Sequence, residues 1–198
     1  MVRNRARTLH DLAELQRVLT LVLDHVDPDA AGLEYRLVGT GAALAQGVRL
    51  PVGDVDVLVP RRGDVDTIAA ALSGFRCLDS PAWLSEARQY FARFEVDEIQ
   101  VEISTIEWPA DTDTFECVGR GPWEHFVPVS FGKHVAPVVG LELRLVSELV
   151  RDRPERYEPL IEHMRLHGAD LQLVQRAMSE RKVDPVTHQR VLDQFQSR

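Results

Sequence analysis

Two carboxylates stand in a segment that otherwise has the composition of a buried strand. Residues 54–59 read DVDVLV, so apolar residues alternate with Asp54 and Asp56. Successive side chains of a strand point to opposite faces, which places the valines on one face and both aspartates on the other. Carboxylates about 6–7 Å apart on one pleated face repel each other unless a cation lies between them. The spacing therefore predicts a divalent metal site.

A third acid occurs on a second alternating segment. Residues 99–105 read IQVEIST, with apolar side chains on one face and Glu102 on the other. If this strand lies beside residues 54–59, Glu102 joins Asp54 and Asp56. Three carboxylates can hold two Mg²⁺ ions roughly 3.5–4 Å apart, an arrangement used for in-line phosphoryl displacement. Mg²⁺ prefers hard oxygen ligands and shares its coordination shell with substrate phosphates.

A glycine-containing turn precedes the acidic strand. Residues 37–41 read LVGTG, and thirteen residues separate Thr40 from Asp54. Gly39 allows the backbone to turn and to approach a phosphate closely, and Thr40 offers a hydroxyl and an amide. A short predicted helix follows, with its N-terminus toward anionic oxygens. We therefore expect a phosphate-binding turn beside the metal site.

The combination VGT…GDVDVLV resembles the signature of the DNA polymerase beta-type nucleotidyltransferase superfamily, which has small bacterial members. The resemblance implies that Gly39 and Thr40 hold the nucleotide phosphates. It also implies that Asp54, Asp56 and Glu102 are both the metal ligands and the catalytic residues. The implied enzyme uses two Mg²⁺ ions and a nucleoside triphosphate. It transfers the nucleoside monophosphate to an acceptor hydroxyl and releases pyrophosphate.

The pattern along residues 1–140 predicts a mixed α/β body. Apolar residues at helical spacing predict a helix over residues 8–26, with Thr8 as its cap. The predicted strands include a hairpin with arms at 87–96 and 99–108, its turn near Asp97 and Glu98, and extended pieces around Phe115, Phe126 and Val135. The resemblance implies that they form an α+β fold, a nucleotidyltransferase-type mixed β-sheet flanked by helices.

From Leu141 the character of the chain changes, and residues 141–198 predict a helical region of four helices. Pro154 marks one helix start and Gly168 one helix end. The arginines that could reach a triphosphate or an acceptor from this region are Arg144, Arg151 and Arg153. Their pattern differs from that of the superfamily, so the sequence assigns them no role.

Net charge and hydropathy limit the classes of molecule with which the protein is expected to interact. The 198 residues include 31 acidic and 23 basic side chains, a net charge of −8. This balance disfavours a surface that coats nucleic acid and would suit a cationic acceptor. A small molecule, an RNA and a protein hydroxyl all remain open as acceptors. No segment approaches the roughly 18 apolar residues of a membrane span, and the N-terminus lacks signal-peptide features, so we expect a cytoplasmic protein.

Three alternatives remain open. Glu95 or Asp97 could supply the third carboxylate instead of Glu102. The chain could be an inactive member of the superfamily that binds nucleotide as a regulatory or partner subunit, or an unrelated α/β protein with a structural cation. A haloacid-dehalogenase-type nucleophile is disfavoured, because there the apolar strand precedes the acids, whereas here it follows Asp54.

Overall fold

The computed structural model describes residues 7–9, 11–26, 32–105 and 121–196. The extended piece predicted around Phe115 and the last three residues of the arm predicted at 99–108 lie outside these ranges. Within them the chain is α+β, as predicted, with one sheet of seven strands and helices around it. None of the described helices is long and apolar enough to cross a bilayer.

The sheet is mixed, as predicted, and its centre is formed by the strands that carry the acids. The strands are β1 (Arg36–Val38), β2 (Asp54–Leu58), β3 (Arg76–Leu84), β4 (Gln89–Val96), β5 (Ile99–Ser104), β6 (Phe126–Phe131) and β7 (His134–Val139). Their order across the sheet is β3-β4-β5-β2-β1-β7-β6. The β2–β5 and β1–β7 pairs are parallel, and the others are antiparallel.

Eight helices occur in the described ranges. They are α1 (Leu12–Val26), α2 (Gly39–Ala45), α3 (Arg62–Ala71), α4 (Gly121–Glu124), α5 (Leu141–Val150), α6 (Pro154–His167), α7 (Leu171–Glu180) and α8 (Pro185–Gln196). The last four are the helices predicted after Leu141. Pro154 occupies the first turn of α6, and Gly168 ends it with a φ of 98°. The division into two domains at residue 140 stays a prediction.

The start of α1 differs from the prediction. The helix begins at Leu12, and its first turn is capped by Asp11, whose Oδ1 accepts a hydrogen bond from the Glu14 amide at 2.9 Å. The predicted cap, Thr8, lies outside the helix, next to a bridge between Leu9 and Val52. Aspartate and threonine both cap helices well. Because Leu9 pairs with Val52 in an extended bridge, the helix begins after it, and Asp11 rather than Thr8 is the cap.

The apolar face of the two acid-bearing strands lies in the core. Val55, Val101 and Ile103 are fully buried, whereas Asp54 and Glu102 on the opposite face are half-buried. Helices α1 and α3 both pack against β4, the neighbour of β5. The alternation that predicted β2 and β5 is therefore the difference between a core face and an open face of the sheet.

No pattern in the sequence predicted β3 as a strand of nine residues. It forms an edge of the sheet and is exposed along most of its length, so its side chains show no alternation. It also contains Pro81, which an edge strand tolerates. The turn between β4 and β5 lies where it was predicted. It is formed by Asp97 and Glu98, which have positive φ values of 52° and 67°.

Candidate active site

Strands β2 and β5 bring the three predicted acids together. In their parallel register Asp56 is the partner of Glu102, and Asp54 is the partner of Gln100. One carboxylate oxygen from each of Asp54, Asp56 and Glu102 lies within 4.8 Å of the others. We call these three side chains the carboxylate cluster. Their assignment as metal ligands and catalytic residues stays a prediction.

Gly39 is required by the position of Asp56. Its φ is 67°, and a Cβ at this residue would lie 1.8 Å from Asp56 Oδ2. A side chain at position 39 would therefore overlap with a member of the carboxylate cluster. The sequence predicted that Gly39 lets a phosphate approach the backbone. In the structure the group that approaches it is the Asp56 carboxylate.

The turn at Gly39 and Thr40 begins helix α2 directly after β1. All seven residues of this helix are buried, and it packs on β1, on β2 and on α5 of the C-terminal region. Thr40 is 5 % exposed. The turn is thus held against the strand that carries Asp54 and Asp56, and its role in binding nucleotide stays a prediction.

Burial makes two members of the carboxylate cluster, Asp54 and Glu102, harder to ionise. It raises the pKa of Asp54 above its usual value, although the charges of Arg156, Arg93 and Arg144 act in the opposite direction. The pKa of Glu102 is also raised, first by burial and then by the charge of Asp54, while Arg93 lowers it. Repulsion between half-buried carboxylates is what a bound cation would relieve.

Arg93 is the first of three arginines around the cluster, and the sequence analysis missed it. It lies on β4 directly opposite Glu102, 3.5 Å from that carboxylate. Asp79 on β3 holds the same guanidinium group through contacts of 2.7 Å and 2.6 Å. The alternation of β4 could have placed Arg93 on the open face, but its pairing with Asp79 required knowledge of the edge strand β3.

The other two arginines come from the C-terminal helices. Arg144 on α5 is buried, and Arg156 on α6 keeps 33 % of its side chain exposed. Of the arginines that the sequence singled out, Arg144 is one whose charge lowers the pKa of Asp54. Arg156 was missed, because no sequence pattern specifies which residues of α6 approach the sheet.

The alternative acids have other partners. Glu95 lies 3.3 Å from Arg76, and Asp97 in the β4–β5 turn lies 2.5 Å from Arg17. Within the described ranges, the cluster with Glu102 is the single group of three side chains whose ligand atoms converge as a metal site requires. The geometry therefore favours Glu102 as the third acid.

The carboxylate cluster fits a hard divalent cation. Its ligand atoms are all carboxylate oxygens, which Mg²⁺ prefers to nitrogen or sulfur. Its members lie on strands, where backbone hydrogen bonds fix their relative positions, and the close approach of Asp56 to Gly39 restricts that side chain further. Such a site would hold a cation without rearrangement of the backbone.

Comparison with known proteins gives matches in structure only. No family model and no curated protein matches the chain. Among solved structures, TM1012 from Thermotoga maritima, assigned as a nucleotidyltransferase, has a TM-score of 0.57 and 22 % identity, over 78 % of this chain and 94 % of that one.

Two further structures agree with this match. An antigenic nucleotidyltransferase-like protein from Paracoccidioides brasiliensis has a TM-score of 0.56 and 12 % identity, over 94 % of this chain and 95 % of that one. The antibiotic-resistance factor ANT(2'')-Ia has a TM-score of 0.50 and 14 % identity, over 84 % and 90 %. Identities this low speak for the fold alone. The chain therefore has the fold of the nucleotidyltransferase superfamily.

Proposed function

We propose that this protein is a Mg²⁺-dependent nucleotidyltransferase that moves a nucleoside monophosphate from a nucleoside triphosphate to an acceptor hydroxyl. The observation that carries the proposal is the convergence of Asp54, Asp56 and Glu102 within 4.8 Å beside the Gly39 turn. The convergence occurs in a chain whose fold is that of nucleotidyltransferases. Neither observation alone would support the activity, because acidic clusters and shared folds are both common without it.

Asp54 and Asp56 would hold two Mg²⁺ ions between them, and Glu102 would complete the shell on the acceptor side. When bound, these ions neutralise phosphate charge and lower the pKa of an attacking hydroxyl. In the metal-free protein burial raises the pKa of Glu102, and a bound Mg²⁺ would favour its ionised form, the form that can accept a proton. Glu102 would then orient the acceptor hydroxyl and receive its proton.

In the reaction the acceptor oxygen forms a bond to the α-phosphorus, and the bond from that phosphorus to the bridging oxygen of pyrophosphate breaks. The proton of the hydroxyl passes to Glu102 or to solvent, and pyrophosphate leaves with the bonding electrons. Gly39 and Thr40 would hold the nucleotide phosphates next to Asp54 and Asp56. The chain contributes mainly positioning and charge, as in other phosphoryl transfers.

A small molecule is the acceptor class that we favour. The net charge of −8 would attract a cationic acceptor and repel a polyanionic one. One structural neighbour, ANT(2'')-Ia, is described as an antibiotic-resistance factor. RNA and protein hydroxyls are the competing acceptors, and a transfer assay separates them by the species that becomes labelled.

The test is transfer of label from α-³²P-labelled ATP, CTP, GTP and UTP to pools of cationic small molecules, RNA and protein. We expect Mg²⁺-dependent labelling by the wild type, and loss of at least roughly 10²–10³-fold in Asp56→Asn, since one electrostatic stabiliser typically contributes that much. Glu86→Gln, which removes an exposed acid outside the cluster, should retain wild-type activity.

Two results would contradict the proposal. Equal labelling by the wild type and Asp56→Asn would remove the site assignment. Absence of labelling, together with nucleotide binding in the presence of Mg²⁺, would favour the inactive, regulatory alternative.

A further inference from the structure

Two histidines that take no part in the proposed chemistry lie one turn apart on α6. They are His163 and His167, and residues at positions i and i+4 of a helix are neighbours on its surface. Their ring centroids lie 4.2 Å apart, and the angle between the ring planes is 31°. His163 is half-buried, whereas His167 is exposed. The two imidazoles are therefore close enough to bind one ligand together.

The turn that follows α2 holds the His163 ring in place. The ring lies against Gly47, where an added Cβ would be 3.2 Å from His163 Cε1. Gly47 has a φ of 92°, a conformation that other residues rarely adopt. The side-chain amide of Gln46 donates hydrogen bonds of 2.9 Å to the carbonyl oxygens of Ala42 and Val139. The turn that positions His163 is thus itself fixed to α2 and to β7.

A hydrogen bond to the Gln46 backbone occupies one nitrogen of the His163 ring. Burial and then the charge of His167 lower the pKa of His163, and the bond to Gln46 acts in the opposite direction, as donation to a carbonyl oxygen does. A neutral imidazole has one N–H group and one nitrogen lone pair, so donation to Gln46 leaves the lone pair of the other nitrogen available. Histidines that bind metals usually have this arrangement, with the second nitrogen donating to a carbonyl or carboxylate.

Stacking of the two rings is the competing explanation for the pair. The His167 ring is exposed, so stacking removes little of its surface from water. The two rings also repel each other when both are protonated, since the charge of His167 lowers the pKa of His163. A cation held by both neutral rings would use their proximity without this repulsion.

The donor atoms indicate the class of cation. Both are imidazole nitrogens, which suit Zn²⁺, Ni²⁺ and Cu²⁺, whereas Mg²⁺ prefers oxygen. Histidines at i and i+4 of a helix also hold Zn²⁺ in metalloproteases. Within the part of the chain that the structure describes, no third histidine, cysteine or acid converges with the pair. Water or a small ligand would complete the coordination shell.

We propose that His163 and His167 form a transition-metal site, separate from the carboxylate cluster, that binds a divalent ion through one nitrogen of each imidazole. The site lies where α6 meets the turn after α2, and the Gln46 carbonyl orients the His163 ring. The inference does not depend on the proposed function, because neither histidine belongs to the carboxylate cluster.

The test is calorimetric titration of the full chain, without an added histidine tag, with Ni²⁺ in the presence of excess Mg²⁺. Ni²⁺ is the probe because it binds imidazole well, whereas cysteine thiolates select Zn²⁺, and Mg²⁺ competes for carboxylates. We expect one saturable Ni²⁺ site in the wild type. His167→Gln, a change at an exposed position, should weaken Ni²⁺ binding at least roughly tenfold, since losing even a hydrogen-bond partner of a ligand costs about 10–100-fold.

Two variants serve as matched controls. His188→Gln removes a histidine on α8 that has no second histidine one turn away, and Asp56→Asn removes a member of the carboxylate cluster. Both should bind Ni²⁺ as tightly as the wild type does. A second measurement locates the ion directly, because paramagnetic Ni²⁺ should broaden the ring-proton NMR signals of His163 and His167 at concentrations that leave the His188 signals sharp.

Three results would overturn the inference. The first is the absence of saturable Ni²⁺ binding by the wild type, and the second is equal Ni²⁺ affinity in the wild type and His167→Gln. The third is loss of Ni²⁺ binding in Asp56→Asn but not in His167→Gln, which would place the ion at the carboxylate cluster. None of these results removes the proposed transferase activity, which the labelling assay tests separately.

Discussion

The strands that carry the acids and the helices that carry the arginines differ in how firmly the backbone fixes each side chain. Asp56 and Glu102 are neighbours in a parallel ladder, and they reach each other with short side chains. Arg144 and Arg156 extend long side chains from two separate helices to the buried Glu148, and their charges lower the pKa of Asp54. The difference teaches that the sheet sets the position of the site, while the helices adjust its charge.

The two regions also differ in their content of charged side chains. Residues 1–140 contain 13 basic and 21 acidic side chains, whereas residues 141–198 contain ten of each. The entire net charge of −8 therefore belongs to the region that carries the carboxylates. The C-terminal region has no net charge, and two of its arginines, Arg144 and Arg156, lower the pKa of Asp54.

The strongest test of how firmly the strands hold the carboxylates is Gly39→Ala. The new Cβ would lie 1.8 Å from Asp56 Oδ2, at a φ of 67°, so the carboxylate or the backbone must move. We expect Mg²⁺ affinity and transfer to fall roughly 10- to 100-fold, as when a contact that orients a metal ligand is lost, and stability to fall by about 1–2 kcal/mol. The measurements are calorimetric Mg²⁺ titration and thermal denaturation.

Gly74→Ala is the matched control for this change, because Gly74 has open space around its Cβ position and no positive φ. It should leave Mg²⁺ binding unchanged. If Gly39→Ala bound Mg²⁺ as tightly as the wild type, the backbone of the strands and of the Gly39 turn would not fix the Asp56 carboxylate in place.

Asp54→Asn separates stability from function. An acid whose pKa is higher in the folded than in the unfolded chain weakens folding once the pH exceeds both values, and burial gives Asp54 such a raised pKa. Without divalent ions, Asp54→Asn should therefore melt at a higher temperature than the wild type at neutral pH, by about 2–4 °C for each kcal/mol gained. A lower melting temperature would mean that the arginines outweigh the burial.

The pH dependence of Mg²⁺ binding probes the same carboxylates. The pKa values of Asp54 and Glu102 are both raised, mainly by burial, and a metal must displace any proton that they hold. Affinity should be full well above these raised values and fall as the pH drops through them, by about tenfold per pH unit for each displaced proton. The loss should begin at a higher pH than for ordinary carboxylates, and a flat profile through this range would contradict the assignment.

The smallest effect is expected from Arg93→Gln. Arg93 lowers the pKa of Glu102, so its loss should raise that pKa and shift the pH profile of Mg²⁺ binding upward. The shift should be modest, since the Arg93 side chain is one-third exposed and solvent screens its charge. Arg76→Gln, which removes the partner of Glu95, should leave the profile in place. A downward shift in Arg93→Gln would contradict the account.

The features that could be predicted from the sequence lie on the strands that carry the acids, and those that could not depend on tertiary packing. The alternation in β2 and β5 predicted which side chains share the open face, because the period of a strand is a local property. The nine-residue β3, the Asp11 cap and the roles of Arg93 and Arg156 were not predicted. Each of these depends on how distant segments pack, and a long arginine side chain can reach the site from many starting positions.

The most direct test of the central claim is a Mg²⁺ titration of the wild type, Asp54→Asn, Glu102→Gln and the double variant. Since Asp54 and Glu102 come from different strands and share one cluster, each single change should weaken Mg²⁺ binding. The double variant should lose less than the sum of the two. Wild-type Mg²⁺ affinity in Glu102→Gln, or losses that simply add, would show that the two strands do not form one metal site.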